Sequence, residues 1–149
     1  MAGFVLTSPS FDEGSAIPLR HSCDGADVSP ALDWEGAPRG TASLALIVDD
    51  PDARGFTHWV VYDIPGGSSG SLREGLQAND VPPQGRNDFG RTGYGGPCPP
   101  SGTHHYRFTL WALSSHLGLR GAPSAADVRA AVQSKSLGQT TLIGTYTRK

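Results

Sequence analysis

Long apolar runs are missing from this sequence, and so is any surplus of charge. No stretch approaches the roughly 18 consecutive apolar residues that a membrane-spanning helix needs. Charged residues make up 17% of the 149 positions, below the roughly 25% of an average soluble protein. The formal net charge is −2, which excludes a general electrostatic attraction to nucleic acid or to an anionic membrane. The start, Met1-Ala2-Gly3-Phe4-Val5-Leu6, has no basic stretch and no long apolar stretch before Thr7-Ser8-Pro9. It does not read as a signal peptide, so the expected setting is cytoplasmic. Cysteine is scarce: Cys23 and Cys98 form neither a CxxC pair nor a disulfide framework. Two reduced thiols are the favoured reading for a cytoplasmic chain. A bridge is the alternative, because both cysteines sit beside glycine- and proline-rich loops. There is no internal repeat and no long linker, and residues 1–149 read as one domain with one core.

Glycine and proline, by contrast, are abundant, at 20 and 12 residues. Many short elements joined by specific loops fit that usage better than a helical bundle. Five segments read as strands, at about 3–8, 42–49, 59–64, 105–113 and 140–147. The second is nearly continuous apolar sequence, as in a strand buried on both faces. In the fourth, Tyr106, Phe108 and Leu110 fall on one face and Arg107, Thr109 and Trp111 on the other. One helix is expected over about 125–134, with Ser124 as N-cap, Asp127 in the capping-box position and Gly138 as its stop. Val128 and Val132 share a face of it and should pack on a sheet. Three loops, 21–30, 50–57 and 82–103, have unusual composition. The last is long for a compact domain and holds Phe89, Tyr94 and Cys98, so it reads as an ordered functional loop.

Two constellations carry chemistry. The strand ending near Asp49 runs into Asp50-Pro51-Asp52, and the chain turns back at His58 into the next strand. Antiparallel pairing would place Asp50, Asp52 and His58 at one sheet edge. Turn formation alone is the competing explanation for the Asp-Pro-Asp run. The second constellation is Gly95-Gly96-Pro97-Cys98-Pro99-Pro100 leading to His104-His105-Tyr106. Glycine lets backbone approach a ligand, proline stiffens the path, and loop amides can form an anion nest. Neighbouring residues on a strand face opposite ways, so one histidine of the pair should face a pocket. No HxH or HExxH spacing favours a metal, and no GxSxG elbow favours a serine hydrolase. Anion binding fits best: a carboxylate beside an imidazole favours its protonated form, which holds phosphate or carboxylate groups. The aspartates are also placed to accept from a ligand amine or hydroxyl.

Three stretches bear a family likeness: Cys23-Asp24-Gly25 through Ser29-Pro30-Ala31-Leu32-Asp33-Trp34; Asp50-Pro51-Asp52 with His58-Trp59-Val60-Val61-Tyr62; and Gly85-Arg86-Asn87-Asp88-Phe89-Gly90 through His104-His105-Tyr106-Arg107-Phe108. In order and spacing the sequence resembles the phosphatidylethanolamine-binding protein (PEBP) family, in its short bacterial and archaeal Raf-kinase-inhibitor-like branch. The resemblance implies a mainly β fold, a central antiparallel sheet packed with a smaller sheet and one or two short peripheral helices. It implies a small edge pocket for phosphate-type groups, including the phosphoethanolamine headgroup. By position, Asp50 and Asp52 match the family's paired aspartates and His58 the histidine after them. Gly96 and Pro97 match a loop wall, and His104 and Tyr106 the residues that follow it. A Cys23–Cys98 bridge would staple this loop to the early loop. The sequence departs from the family at Arg54, where a proline is usual, and at His105, where an arginine is usual. The arginine ion pair expected behind the loop is therefore not carried over. The extra C-terminal helix of eukaryotic members is not matched. The resulting expectation is a non-catalytic binding protein without cofactor or metal, able to modulate a kinase or protease partner. A hydrolase-like enzyme using Asp and His as acid–base groups is the alternative. The resemblance allows a homodimer, although no interface signature stands in the sequence.

Overall fold

The computed structural model describes residues 3–148; Met1, Ala2 and Lys149, the ends of the expected 1–149 span, lie outside the described residues. The chain forms two antiparallel sheets. The larger is built from β3 (Ser43–Asp50), β4 (Phe56–Pro65), β6 (Gly102–Leu113) and β7 (Ser136–Arg148), in the order β4-β3-β6-β7. The smaller contains β1 (Val5–Thr7), β2 (Leu32–Glu35) and β5 (Gly70–Leu72), in the order β1-β2-β5.

Period-two alternation decides what each strand buries. On β3 every residue is buried, as its apolar run implies. Leu44, Leu46 and Val48 join Tyr106, Phe108 and Leu110 of β6 and Leu32 and Trp34 of β2 in the core between the sheets. The opposite face of β3, with Ala45 and Ile47, meets Ala125, Val128 and Val132 of α1 (Ala125–Val132). The tie between helix and sheet is also ionic. Asp49 is buried on β3 and accepts from Arg107 at 3.0 and 2.9 Å and from Arg129 of the helix at 3.1 Å.

The helix starts where the sequence says it should. Ser124 Oγ accepts from the Asp127 amide, and the Asp127 carboxylate accepts from the Ser124 amide. Ser124→Ala removes one half of this box and is expected to lower stability by about 1 kcal/mol in chemical denaturation. The stop differs from expectation. The helix ends at Val132 with Gln133 as C-cap, and Gly138 lies within β7, paired with Ala112. Strand pairing with β6 claims the chain from Ser136 onward. β2 and β5 were not expected: four and three residues are too few for a clear alternating pattern.

Candidate functional site

The edge of the larger sheet where β3 ends, β4 begins and β6 begins carries a cavity of about 230 Å³. Asp50, Ala53, Phe56, His58, Phe89, Cys98, Pro99, Pro100, His104 and Tyr106 line it. Most of its surface is aromatic or proline ring, with few polar atoms aimed inward.

His58 reaches this cavity through a defect in the sheet. Val48 pairs with Trp59, but Asp49 pairs with Thr57, so His58 is an extra residue on β4. Trp59 belongs to the core between the sheets. Strict alternation would send His58 to the helix side; the bulge turns it back to the core side. There it sits between the rings of Phe56, Phe89 and Tyr106, at centroid distances of 5.1, 5.4 and 5.1 Å. Its Nδ1 donates to the Gly95 carbonyl at 2.7 Å, and the Gly95 amide returns a bond to the His58 carbonyl at 2.9 Å. Burial lowers its pKa below the ordinary histidine value; the Gly95 carbonyl and the Asp50 carboxylate oppose that shift and lose.

Asp50 does two jobs. Its Oδ1 accepts from the Asp52 amide at 2.8 Å and caps the 3-10 turn over Pro51–Ala53. Its Oδ2 accepts from His104 Nδ1 at 2.5 Å. The turn ends at Arg54, with φ of 57°. Proline cannot take that conformation, because its ring holds φ near about −65°. Tyr106 is buried on the cavity floor, and its hydroxyl pKa is pushed well above the usual phenol value by burial and by the Asp50 charge.

Four expected site residues, Asp50, His58, His104 and Tyr106, come together in the cavity. The other three do not line it. Asp52 is swung outward by the proline-started turn and pairs with His105 Nδ1 at 2.8 Å on the surface, so one histidine of the pair faces each way. The Gly96 amide donates to Asp27 Oδ1 at 2.8 Å, and a Cβ there would lie 2.0 Å from the His21 carbonyl oxygen. Gly96 is thus required for packing behind the wall. The Pro97 carbonyl accepts from the Cys23 amide at 3.1 Å. With the Gly95 and Gly96 amides both engaged, neither serves the anion nest expected of this loop.

Phe56 supplies wall that neither constellation named, and Phe89, Pro99 and Pro100, which lay in the quoted stretches without an assigned site role, complete it. The aromatic placement of Phe56 two residues before His58 was the available signal. Against the favoured expectation of free thiols, Cys23 and Cys98 are joined by a disulfide, their Cα atoms 5.4 Å apart. A cation also stands behind the wall despite His105. Arg148 donates to the Pro99 carbonyl at 3.4 Å and to Asp24 at 3.0 Å.

His21 is fully buried, with Nδ1 on the Val28 carbonyl at 2.8 Å, and burial lowers its pKa as it does that of His58. Both groups bind protons less readily folded than unfolded. Their contribution to stability is therefore full above about pH 6.5 and lost as pH falls below it. Thermal unfolding in phosphate-free buffer is expected to show a lower Tm at pH 5 than at pH 7; an unchanged Tm would contradict two buried neutral imidazoles.

A two-sheet β fold with an aromatic-walled histidine cavity at one sheet edge is the class of protein this chain defines. The family model "Phosphatidylethanolamine-binding protein" matches residues 7–147. A Methanothermobacter thermautotrophicus UPF0098 protein is 45% identical, with 96% of this chain and 98% of that protein covered. The Mycobacterium tuberculosis protein named "Putative lipoprotein LppC" is 45% identical over 95% of this chain and 71% of its own length. The solved structure of Escherichia coli YbcL, described as a new member of the mammalian PEBP family, superposes with a TM-score of 0.90 at 34% identity, covering 99% of this chain and 100% of that one. The chain belongs to the phosphatidylethanolamine-binding protein family.

Proposed function

We propose that this protein binds, without turning over, a small oxyanion in the edge cavity: phosphate, a phosphoethanolamine-type headgroup, or an anionic group carried by a partner protein such as a kinase or protease. The observation that carries this reading is the convergence of His58, His104 and the Tyr106 hydroxyl on one aromatic-walled cavity. His104 is the proposed cation of the site, with Nδ1 already engaged by the Asp50 carboxylate at 2.5 Å. Its Nε2–H is then left to donate to the ligand.

Acid–base hydrolysis is the weaker reading. Apart from Tyr106, the lining residues offer no hydroxyl, and the one lining sulfur belongs to the disulfide. The phenol is kept protonated by burial. A hydroxyl or thiol nucleophile is therefore missing from the wall, which leaves hydrolysis to Asp50, the histidines and an activated water.

The bridge bears on where the protein works. A cytoplasmic setting, expected from the sequence, keeps such pairs reduced, whereas the bridged form belongs to an oxidising compartment. Among the described residues no helix is long and apolar enough to cross a membrane. Free-thiol counting on protein taken directly from its source separates the two settings: two titratable thiols favour the first, none the second.

Calorimetric titration with phosphoethanolamine tests the binding reading. One saturable site, competed by inorganic phosphate, is the expected result; absence of binding by either would end the proposal.

A further inference from the structure

The cavity is poor in positive charge for a site that takes an anion. Its lining includes the Asp50 carboxylate and neither lysine nor arginine. The groups around His58 and His104 can be named element by element. From β3 comes Asp50, and from β6 come His104 and Tyr106. Asp27, in the early loop, is tied to the Gly96 amide. Asp52, on the turn, is tied to His105 outside the cavity. Arg148 lies behind the Pro99 carbonyl, paired with Asp24. Arg91 lies 5.6 Å over the Phe89 ring but does not line the cavity, so among the lining residues the site for a cation is His104, already paired with Asp50.

His58 adds a constraint of another kind. Its Nδ1 is 2.7 Å from the Gly95 carbonyl oxygen, which only accepts, so Nδ1 carries the hydrogen. A neutral ring then presents a lone pair at Nε2, and no described residue donates to that atom. The bulge aims the ring into the cavity, so an incoming ligand meets an acceptor there. A fully deprotonated oxyanion would set its own lone pairs against this nitrogen and its full charge beside Asp50. Burial among Phe56, Phe89 and Tyr106 opposes charging the ring to relieve the conflict.

Resting on the anion-binding reading above, we propose that the oxyanion enters carrying its own proton, which it donates to His58 Nε2 while accepting from His104 and Tyr106. The cavity thereby selects inorganic phosphate and phosphate monoesters over anions with no proton to give, namely sulfate and phosphodiesters. The two sources of a phosphoethanolamine group are ranked by this rule. The released monoester is preferred to the headgroup of an intact phospholipid, whose phosphate is a diester.

The test is calorimetry at pH 6 with inorganic phosphate, methyl phosphate, phosphoethanolamine, dimethyl phosphate and sulfate. Phosphate and the two monoesters are expected to bind at least about tenfold more tightly than sulfate or dimethyl phosphate, the difference made by one hydrogen bond to a charged group. Sulfate matches phosphate in shape but carries one charge more at pH 6, and dimethyl phosphate matches it in charge but has no proton, so rejection of both isolates the proton. Affinity for methyl phosphate should fall nearly tenfold per pH unit above the second pKa of the phosphoryl group, about 6. Any sulfate binding should lack that step. His58→Gln, whose side-chain amide can donate as well as accept, is expected to bring sulfate to within about threefold of phosphate while phosphate still binds. Equal binding of sulfate and phosphate by the unaltered protein would overturn the proposal and leave the anion site standing. Binding of none of these ligands would overturn both.

Discussion

His104→Ala is expected to weaken phosphoethanolamine binding by about a hundredfold or more, the usual scale for truncating one partner of a buried hydrogen-bonded charge pair. Two effects add. The ligand loses its charged donor, and Asp50, at 2.5 Å from His104 Nδ1, loses its counter-charge and faces the anion directly. Like charges about 4 Å apart repel by about 4 kcal/mol at an effective dielectric of about 20. The second effect gives the prediction a sign that a generic structural defect lacks. Asp50→Asn added to His104→Ala should recover part of the lost affinity, because it removes the repelling charge. The asparagine oxygen can still accept from the Asp52 amide and keep the turn capped. Further loss in the double variant would contradict this electrostatic account. His58→Ala should also reduce binding, but without a compensating Asp50 variant.

Removing the Cys23–Cys98 bridge is expected to have the largest effect on stability. The two residues are 75 apart in sequence, and chain entropy alone assigns a loop of that size about 4 kcal/mol. For a domain of this length that corresponds to a fall in Tm of roughly 10 °C. Paired Cys23→Ser and Cys98→Ser substitutions, or reduction by a small dithiol, should produce it; a fall of less than about 2 °C would show that the staple is energetically idle. The bridge ties the cavity wall at Cys98 to the early loop, where the Tyr94 hydroxyl donates to the His21 carbonyl at 2.7 Å. Ligand affinity in the serine variant should therefore decline even at temperatures where it remains folded.

The contrast between what the sequence announced and what it hid follows from the range of the forces involved. Strands β3 and β6 are long enough for burial to imprint a pattern, and both were legible to within a few residues. The Ser124–Asp127 box was legible because both partners are local. β2 was not, although Leu32 and Trp34 alternate with Asp33 and Glu35, because four residues do not separate a strand from a loop. In the site, Asp50, His58 and His104 were marked by motif and family likeness. The fate of Asp52 depends on the 3-10 turn that Pro51 starts, which turns its carboxylate outward to His105. His58 depends on a one-residue bulge that no periodicity reveals. The glycines of the loop were read as ligand-facing, whereas Gly96 is held small by the His21 carbonyl behind it. Whether a glycine faces ligand or protein is decided by tertiary contact.

Diffraction from crystals soaked in inorganic phosphate at pH 6 decides whether the edge cavity holds an anion. Tetrahedral density is expected there, with oxygens within hydrogen-bond distance of His58 Nε2, His104 Nε2 and the Tyr106 hydroxyl. Phosphate ordered elsewhere on the surface, with water alone between these three groups at saturating concentration, would contradict the anion-binding reading.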